Sequence, residues 1–159
     1  MIRYRPIIKS DNQQMANIIR TNLASYGLNI EGTAYTDPTT DNLFDLFQTP
    51  KSHYWIATAD EEVVGGCGVF PTKGLPKGYG ELVKLYVAGS HKGLGIGKAL
   101  MQHTINRAKE LGYTHLYLES FPELGEAVRL YERMGFKVLD QPLGDPVHFA
   151  CNLWMACAL

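Results

Sequence analysis

Apolar and polar residues follow two different periods along this chain, and the switches between them outline its elements. "IRYRPII" opens with a short extended pattern that predicts a first strand. Ser10 follows as the expected N-cap of a helix, with Gln13 as its capping-box partner. Met15, Ile18, Ile19, Leu23 and Tyr26 then recur at helical spacing, and Gly27 supplies the stop. From Leu28 to Ser52 the pattern weakens, predicting a short helix around Asn42 to Phe47 and loop elsewhere. "HYWIATADEEVVGGCGVFP" predicts two strands joined by a turn at Asp60 to Glu62, and "GYGELVKLYVAG" another strand rich in β-branched and aromatic residues.

The second half changes period again. Gly93, Gly95 and Gly97 alternate in "SHKGLGIGKALM", ahead of a helix with Leu100, Met101, Ile105, Ala108 and Leu111 on its apolar side. Gly112 ends that helix. "THLYLES" is the next strand, "GEAVRLYERMG" a helix closed by Gly135, "FKVL" a strand, and "VHFACNLWMACAL" a last apolar strand. Antiparallel strands come first, then strand, glycine loop, helix, strand, helix, strand. That order predicts a mixed α/β (α+β) fold, with residues 1–159 as one domain.

Composition narrows the function. A net charge of -1 over 159 residues argues against a nucleic-acid partner, and Lys73, Lys77 and Lys84 are expected on a solvated surface. Cys67, Cys151 and Cys157 are an odd number without paired spacing, which points to a reducing compartment rather than a disulfide framework or zinc site. The five histidines show no HxxxH or HxxE pattern, so no metal is expected. The first residues lack the apolar stretch of a signal peptide, and no run approaches the ~18 apolar residues of a membrane span. The expectation is a cytoplasmic protein with no membrane partner.

The glycine loop carries the chemistry. Glycines this close together let main-chain N–H groups approach a ligand unobstructed. The first N–H groups of a helix are unpaired and sit at its positive end, so the loop suits an anion, most often a phosphate. A Walker A loop fails twice, because Lys92 stands at its first glycine and Ala99 at its magnesium-holding hydroxyl. The dinucleotide fingerprint fits only in part, since Lys98 stands where its third glycine belongs. "GSHKG" is not the GxSxG of a nucleophile elbow.

One pattern does fit. "ELVKLYVAGSHKGLGIGKALMQHTINRAKELGY", then "LYLES", then "GEAVRLYERMGF" resembles the GCN5-related N-acetyltransferases, whose signature is Q/R-x-x-G-x-G/A after a strand and a "LYExxGF" helix end. The resemblance runs from about Gly80 to Val138, with Lys92 at the usual Gln or Arg and Leu124 where many members have an asparagine that contacts coenzyme A. It implies a mostly antiparallel sheet of about six to seven strands splayed into a V and flanked by about four helices.

The resemblance also implies acetyl-coenzyme A as acyl donor. Its pyrophosphate would lie on the N–H groups of Gly93, Leu94, Gly95, Ile96, Gly97 and Lys98, with the Lys92 and Lys98 side chains adding charge, and its pantetheine arm along the main chain of Leu85, Tyr86 and Val87. The Leu85 N–H would polarise the thioester carbonyl. Glu81, acting through water, or Glu119 would be the base, and Tyr131 the acid toward the departing thiolate. Cys67 reads as a small buried strand residue. Tyr26, Glu31 and Tyr35 fall in the region that walls the acceptor site in relatives. The expected acceptor is a small-molecule or peptide amine, and the chain a monomer or homodimer. Two rivals stay open on sequence: a non-catalytic coenzyme A-binding sensor or partner module, and a nucleotide-cofactor oxidoreductase.

Overall fold

A computed structural model describes residues 1–145 and 148–159. Its first strand, β1 (Ile2–Pro6), leads through a turn into helix α1 (Asn12–Ser25). The expected cap at Ser10 does not form: Asp11 is the residue before the helix, and no side chain caps it. Its carboxylate instead accepts from the Ile8 N–H at 2.8 Å and from both Arg5 guanidinium nitrogens at 2.7 and 2.9 Å across the preceding 3-10 turn. A charged acceptor held by a bidentate arginine binds the loose backbone N–H more strongly than a serine hydroxyl can. The helix stops where the glycine predicts. Gly27 has φ +72, and the Leu28 N–H reaches back to the Leu23 carbonyl at 2.8 Å, the Schellman closure.

In the weak stretch, a 3-10 turn (Pro38–Asp41) precedes the short α2 (Leu43–Leu46), inside the expected helical window. The hairpin strands are β2 (His53–Ala59) and β3 (Glu62–Phe70), turning at Asp60 and Glu61, both with positive φ. Next come β4 (Tyr79–Val87), α3 (Ile96–Glu110), β5 (His115–Ser120), α4 (Gly125–Arg133), β6 (Lys137–Leu139) and β7 (Leu153–Ala158).

The last strand begins later than its apolar sequence suggests. The Cys151 N–H bonds the His148 carbonyl and the Ala150 N–H the Gly32 carbonyl, both at 3.0 Å, so residues 148–152 turn back on the first loop before β7 starts. Val147, assigned to that strand by its sequence, lies outside the described residues.

The seven strands form one sheet in the order β1-β2-β3-β4-β5-β7-β6. Every neighbouring pair is antiparallel except β4 with β5. That parallel pair is short: Tyr79, Gly80 and Glu81 oppose His115, Leu116 and Tyr117, and beyond Glu81 the two strands part. The expected V is this parting.

A bulge in β4 lies just beyond the split. Val83 pairs with Gly68 and Tyr86 with Gly66, so Lys84 and Leu85 together face the single residue Cys67. Lys84 takes φ +52, and such bulges bend and twist a strand. Adjacent residues then serve opposite faces of the sheet. Ala57 and Val64 pack with Leu100, Met101 and Ile105 of α3, while Ile56 and Val63 pack with Met15, Ile19 and Leu23 of α1.

Candidate active site

The parting of β4 and β5 opens a cavity of about 610 Å³. On one side stands the start of α3. Gly95, at φ +79, is the residue before the helix, and no side chain caps it. The first N–H bonded back into the helix is Ala99, to the Gly95 carbonyl at 3.1 Å, which leaves those of Ile96, Gly97 and Lys98 without helical partners. A Cβ built on Gly93 or Gly95 would meet nothing within 4 Å, so their glycines answer to φ and to approach from outside. A Cβ on Gly97 would sit 3.4 Å from the Leu130 side chain, so this glycine also seats α3 against α4. The Lys92 ammonium lies 5.4 Å from the centre of the Tyr26 ring, a cation–π contact at the cavity rim.

Along the opposite wall runs β4 beyond the split. The side-chain amide of Asn22 on α1 donates to the Val87 carbonyl at 3.1 Å and to the Ile18 carbonyl at 2.9 Å, tying α1 to the end of the strand. Leu85, Tyr86 and Val87 all line the cavity.

Glu81 sits where the strands separate, and the Thr72 hydroxyl donates to its Oε1 at 2.6 Å. Burial foremost, with the negative charge of Glu119, pushes its carboxyl up to about 7, against the opposing pull of Thr72 and Lys84. Glu119 accepts the Tyr117 hydroxyl at 2.7 Å, and that hydroxyl accepts the Leu143 N–H at 3.2 Å. Burial raises this carboxyl too. Tyr131 is 6% exposed, and burial drives its phenol far above the ordinary tyrosine range, so it stays protonated at any working pH.

Lys84 is not the surface lysine its place in a scattered basic set suggested. Its side chain is 6% exposed, because the bulge turns it inward, and its ammonium stands 3.7 Å from Asp37 Oδ2. Asp37 accepts the Thr39 N–H at 2.9 Å and hydroxyl at 2.8 Å on Oδ1, and His148 Nε2 stands 2.7 Å from Oδ2. Burial alone would raise the Asp37 carboxyl, yet His148, Lys84 and Thr39 together hold it well below the usual carboxylate range. Burial also lowers Lys84, against the pull of Asp37 and Glu81.

The cavity therefore gathers Glu81, Glu119 and Tyr131 with the β4 backbone, Lys92, Gly93 and the start of α3. Leu94 points away at 65% exposure. Of the three acceptor-wall residues, Tyr26 lines the cavity, while Glu31 and Tyr35 do not. Their loop offers Thr33 and Ala34 instead, because the Tyr35 carbonyl is held by Arg20 Nε at 3.0 Å and its ring packs on the core. Sequence reasoning missed Asn22, Asp37, Thr72 and His148, whose signals are ordinary polar residues in loops or on a helix. Cys67 is fully buried and its thiol is pushed up to about 12 by burial, consistent with an inert packing role. Among the described residues no group of three His, Cys, Asp or Glu side chains is placed to hold a metal ion.

Comparison with known proteins agrees with this arrangement. The model of the Acetyltransferase (GNAT) family matches residues 17–136. The chain is 36% identical over 152 residues to the uncharacterized N-acetyltransferase YjgM of Escherichia coli strain K12, covering 95% of this chain and 91% of that protein. It is 37% identical over 105 residues to N-acetyltransferase 8B of Rattus norvegicus, of which it spans only 45%. A GNAT-family acetyltransferase from Staphylococcus aureus Mu50 superimposes with a TM-score of 0.88 at 21% identity, over all of this chain and 99% of that one. The PaiA N-acetyltransferase of Thermoplasma acidophilum, solved with coenzyme A, gives 0.77 at 18% identity over 100% and 99% of the two chains. With the family matched across most of its length, the chain belongs to the GNAT family of N-acetyltransferases.

Proposed function

We propose that residues 1–159 form one acetyl-coenzyme A-dependent N-acetyltransferase domain, which moves the acetyl group to a primary amine by direct attack in a ternary complex. The observation that carries this reading is the cavity itself. It has an uncapped helix start on one side, unpaired β4 backbone beyond Glu81 on another, and a carboxyl raised to about 7 at the split.

The residues suit the donor. The N–H groups of Gly93 to Lys98 fit a pyrophosphate, with Lys92 and Lys98 adding charge. The backbone of Leu85 to Val87 lacks a β5 partner and can pair with the amides of a pantetheine arm, as an added strand would. Acetyl-coenzyme A, when bound, supplies an activated acetyl thioester. The likeness to proteins solved with coenzyme A, and with acetyl-coenzyme A in YncA of Salmonella typhimurium, supports this choice of donor.

The chain's own groups then divide the proton work. An amine with a pKa near 10 is mostly ammonium at neutral pH and must lose a proton to attack. Glu81, acting through water, takes that proton, and a base near 7 is far better matched to the task than an ordinary carboxylate. Glu119 is the alternative base at the same cavity. The Leu85 N–H polarises the acyl carbonyl. Tyr131, which lines the cavity, is the acid toward the leaving sulfur, and its phenolate regains a proton from the pool released by the attacking amine. We also place the domain in a reducing, cytoplasmic setting, from its odd number of cysteines without paired spacing.

The test is a panel of primary amines incubated with acetyl-coenzyme A while release of free thiol is followed, beside thermal shifts with acetyl-coenzyme A, NAD and ATP. Stabilisation by acetyl-coenzyme A together with amine-dependent thiol release is the expected result. Stabilisation without release for any amine would leave a binding module, and stabilisation by NAD alone would overturn the reading.

A further inference from the structure

A strand bulge draws the Lys84 ammonium into the wall of the cavity, and among the described residues no acceptor stands within hydrogen-bond distance of it. Its side chain is 6% exposed, so water does not solvate it freely. An ammonium has three N–H donors. The sole ion pair it makes among the described residues, to Asp37 Oδ2, is 3.7 Å long, which is a charge contact and too long for a hydrogen bond. Asp37 is already engaged by other donors. Thr39 donates twice to Oδ1, and His148 stands on Oδ2 at 2.7 Å. A buried ammonium left this way is costly unless something else accepts from it.

The cavity is the open side from which an acceptor can reach it, because Lys84 lines it together with Glu81 and Glu119. The arrangement is bipolar: two carboxyls that suit a cationic amine, and an ammonium that suits an anionic oxygen. Glu81 and Lys84 are three residues apart on one bulged strand and lie close enough to act on each other's charge. A small molecule bearing an amine and a carboxylate within a few bonds can satisfy both.

We propose that the acceptor is an amino carboxylate, with its amine toward Glu81 and Glu119 and its carboxylate hydrogen-bonded to the Lys84 ammonium. The inference rests on the acetyl-transfer reading above. It adds a specificity role for Lys84, which anchors the acceptor and takes no part in proton transfer. A lysine that served only to pin the Asp37 loop would make no distinction between an acid and its amide.

The test compares each protein L-amino acid with its carboxamide as acceptor, alongside simple alkylamines and polyamines, for wild type and Lys84→Met. Thiol release gives kcat/KM, and thermal shift by acetyl-coenzyme A runs in parallel. In the wild type the preferred free acid should exceed its amide by roughly 10–100-fold, the range for one hydrogen bond to a charged group. Lys84→Met should lose that ratio chiefly through a raised KM for the acid, while the shift with acetyl-coenzyme A persists. The wild-type ratio alone decides the matter if Lys84→Met does not fold. The inference is overturned if amides or plain amines serve as well as acids, or if no carboxylate-bearing amine is acetylated. Absence of both thiol release and any acetyl-coenzyme A shift would instead strike the acetyl-transfer reading itself.

Discussion

The Tyr54 hydroxyl donates to the Lys84 carbonyl across 2.7 Å, and this bond fastens the β4 bulge from below. Tyr54 is 1% exposed, and its ring lies on β3 where side chains are missing: a Cβ on Gly66 would sit 2.5 Å from Cε1, and one on Gly68 2.5 Å from Cδ2. Gly66 and Gly68 thus make room for an aromatic ring that in turn holds the strand at the mouth of the cavity.

Gly66→Ala should therefore unseat Tyr54 and loosen the Lys84 carbonyl together. Overpacking of this kind costs about 1–3 kcal/mol. Urea unfolding should show that loss, and turnover should fall with it. Gly89→Ala is the control, because its Cβ would meet nothing within 4 Å and its φ is not positive, and it should leave stability within about 0.5 kcal/mol.

Glu81 makes a prediction about pH. As a base it must be deprotonated, so the rate should rise with pH through an apparent midpoint near 7. Glu81→Gln should lower turnover by roughly 10²–10⁴-fold and flatten that limb. Thr72 stabilises the charged form, so Thr72→Val should move the limb to higher pH, whereas Glu119→Gln removes a like charge and should move it lower. A full-rate Glu81→Gln beside a slow Glu119→Gln would transfer the role to Glu119.

The same group sets a stability trend. Its folded pKa of about 7 lies above the ordinary 4.5, so the stability it contributes is full below about 4.5 and is lost as pH rises through about 7. Relative to wild type, Glu81→Gln should gain on the order of 1–3 kcal/mol between pH 5 and pH 8. Urea midpoints at the two pH values check it, and an unchanged difference would mean that Glu81 is not held neutral by the fold.

How much of this was legible in the sequence follows from the range of each interaction. The helix stops at Gly27, Gly112 and Gly135 depend on a few consecutive residues, and each appears with positive φ. The glycine loop before α3 is equally local. The turn before α1 departs from the expected Ser10 cap because it is fastened by Asp11 to Arg5, a residue on another element. Asp37, Lys84 and His148 come from three distant segments, and no spacing announces their meeting. The one available hint was a lysine in the otherwise apolar "LVKLYV". The bulge that turns it inward depends on which residues of β3 lie opposite, and register between strands cannot be read from one strand alone.

Gly95 tests the loop. Its φ of +79 strains any other residue, yet there is open space for a Cβ, so a substitution there should leave the fold intact at a cost of about 1–2 kcal/mol. Gly95→Glu adds a negative charge where the pyrophosphate is proposed to lie. Isothermal titration should show acetyl-coenzyme A affinity collapsing in a folded protein, and an unchanged affinity would remove the loop from the binding site.

Tyr131 separates catalyst from binder. Tyr131→Phe removes one oxygen and keeps a ring that packs 6.0 Å from Phe136 in the core below α4, so the helix should keep its place. A phenol that protonates the departing thiolate acts only in the transition state, and losing it lowers turnover without weakening the ground-state complex. Turnover should drop by roughly 10²-fold or more while the acetyl-coenzyme A dissociation constant stays within a few-fold. The measurement has to be made with chemistry rate-limiting, since slow product release would hide the loss. Equal turnover of wild type and Tyr131→Phe under that condition would take the tyrosine out of the mechanism. Solvent, or the proton carried by the acceptor itself, would then have to serve the leaving sulfur.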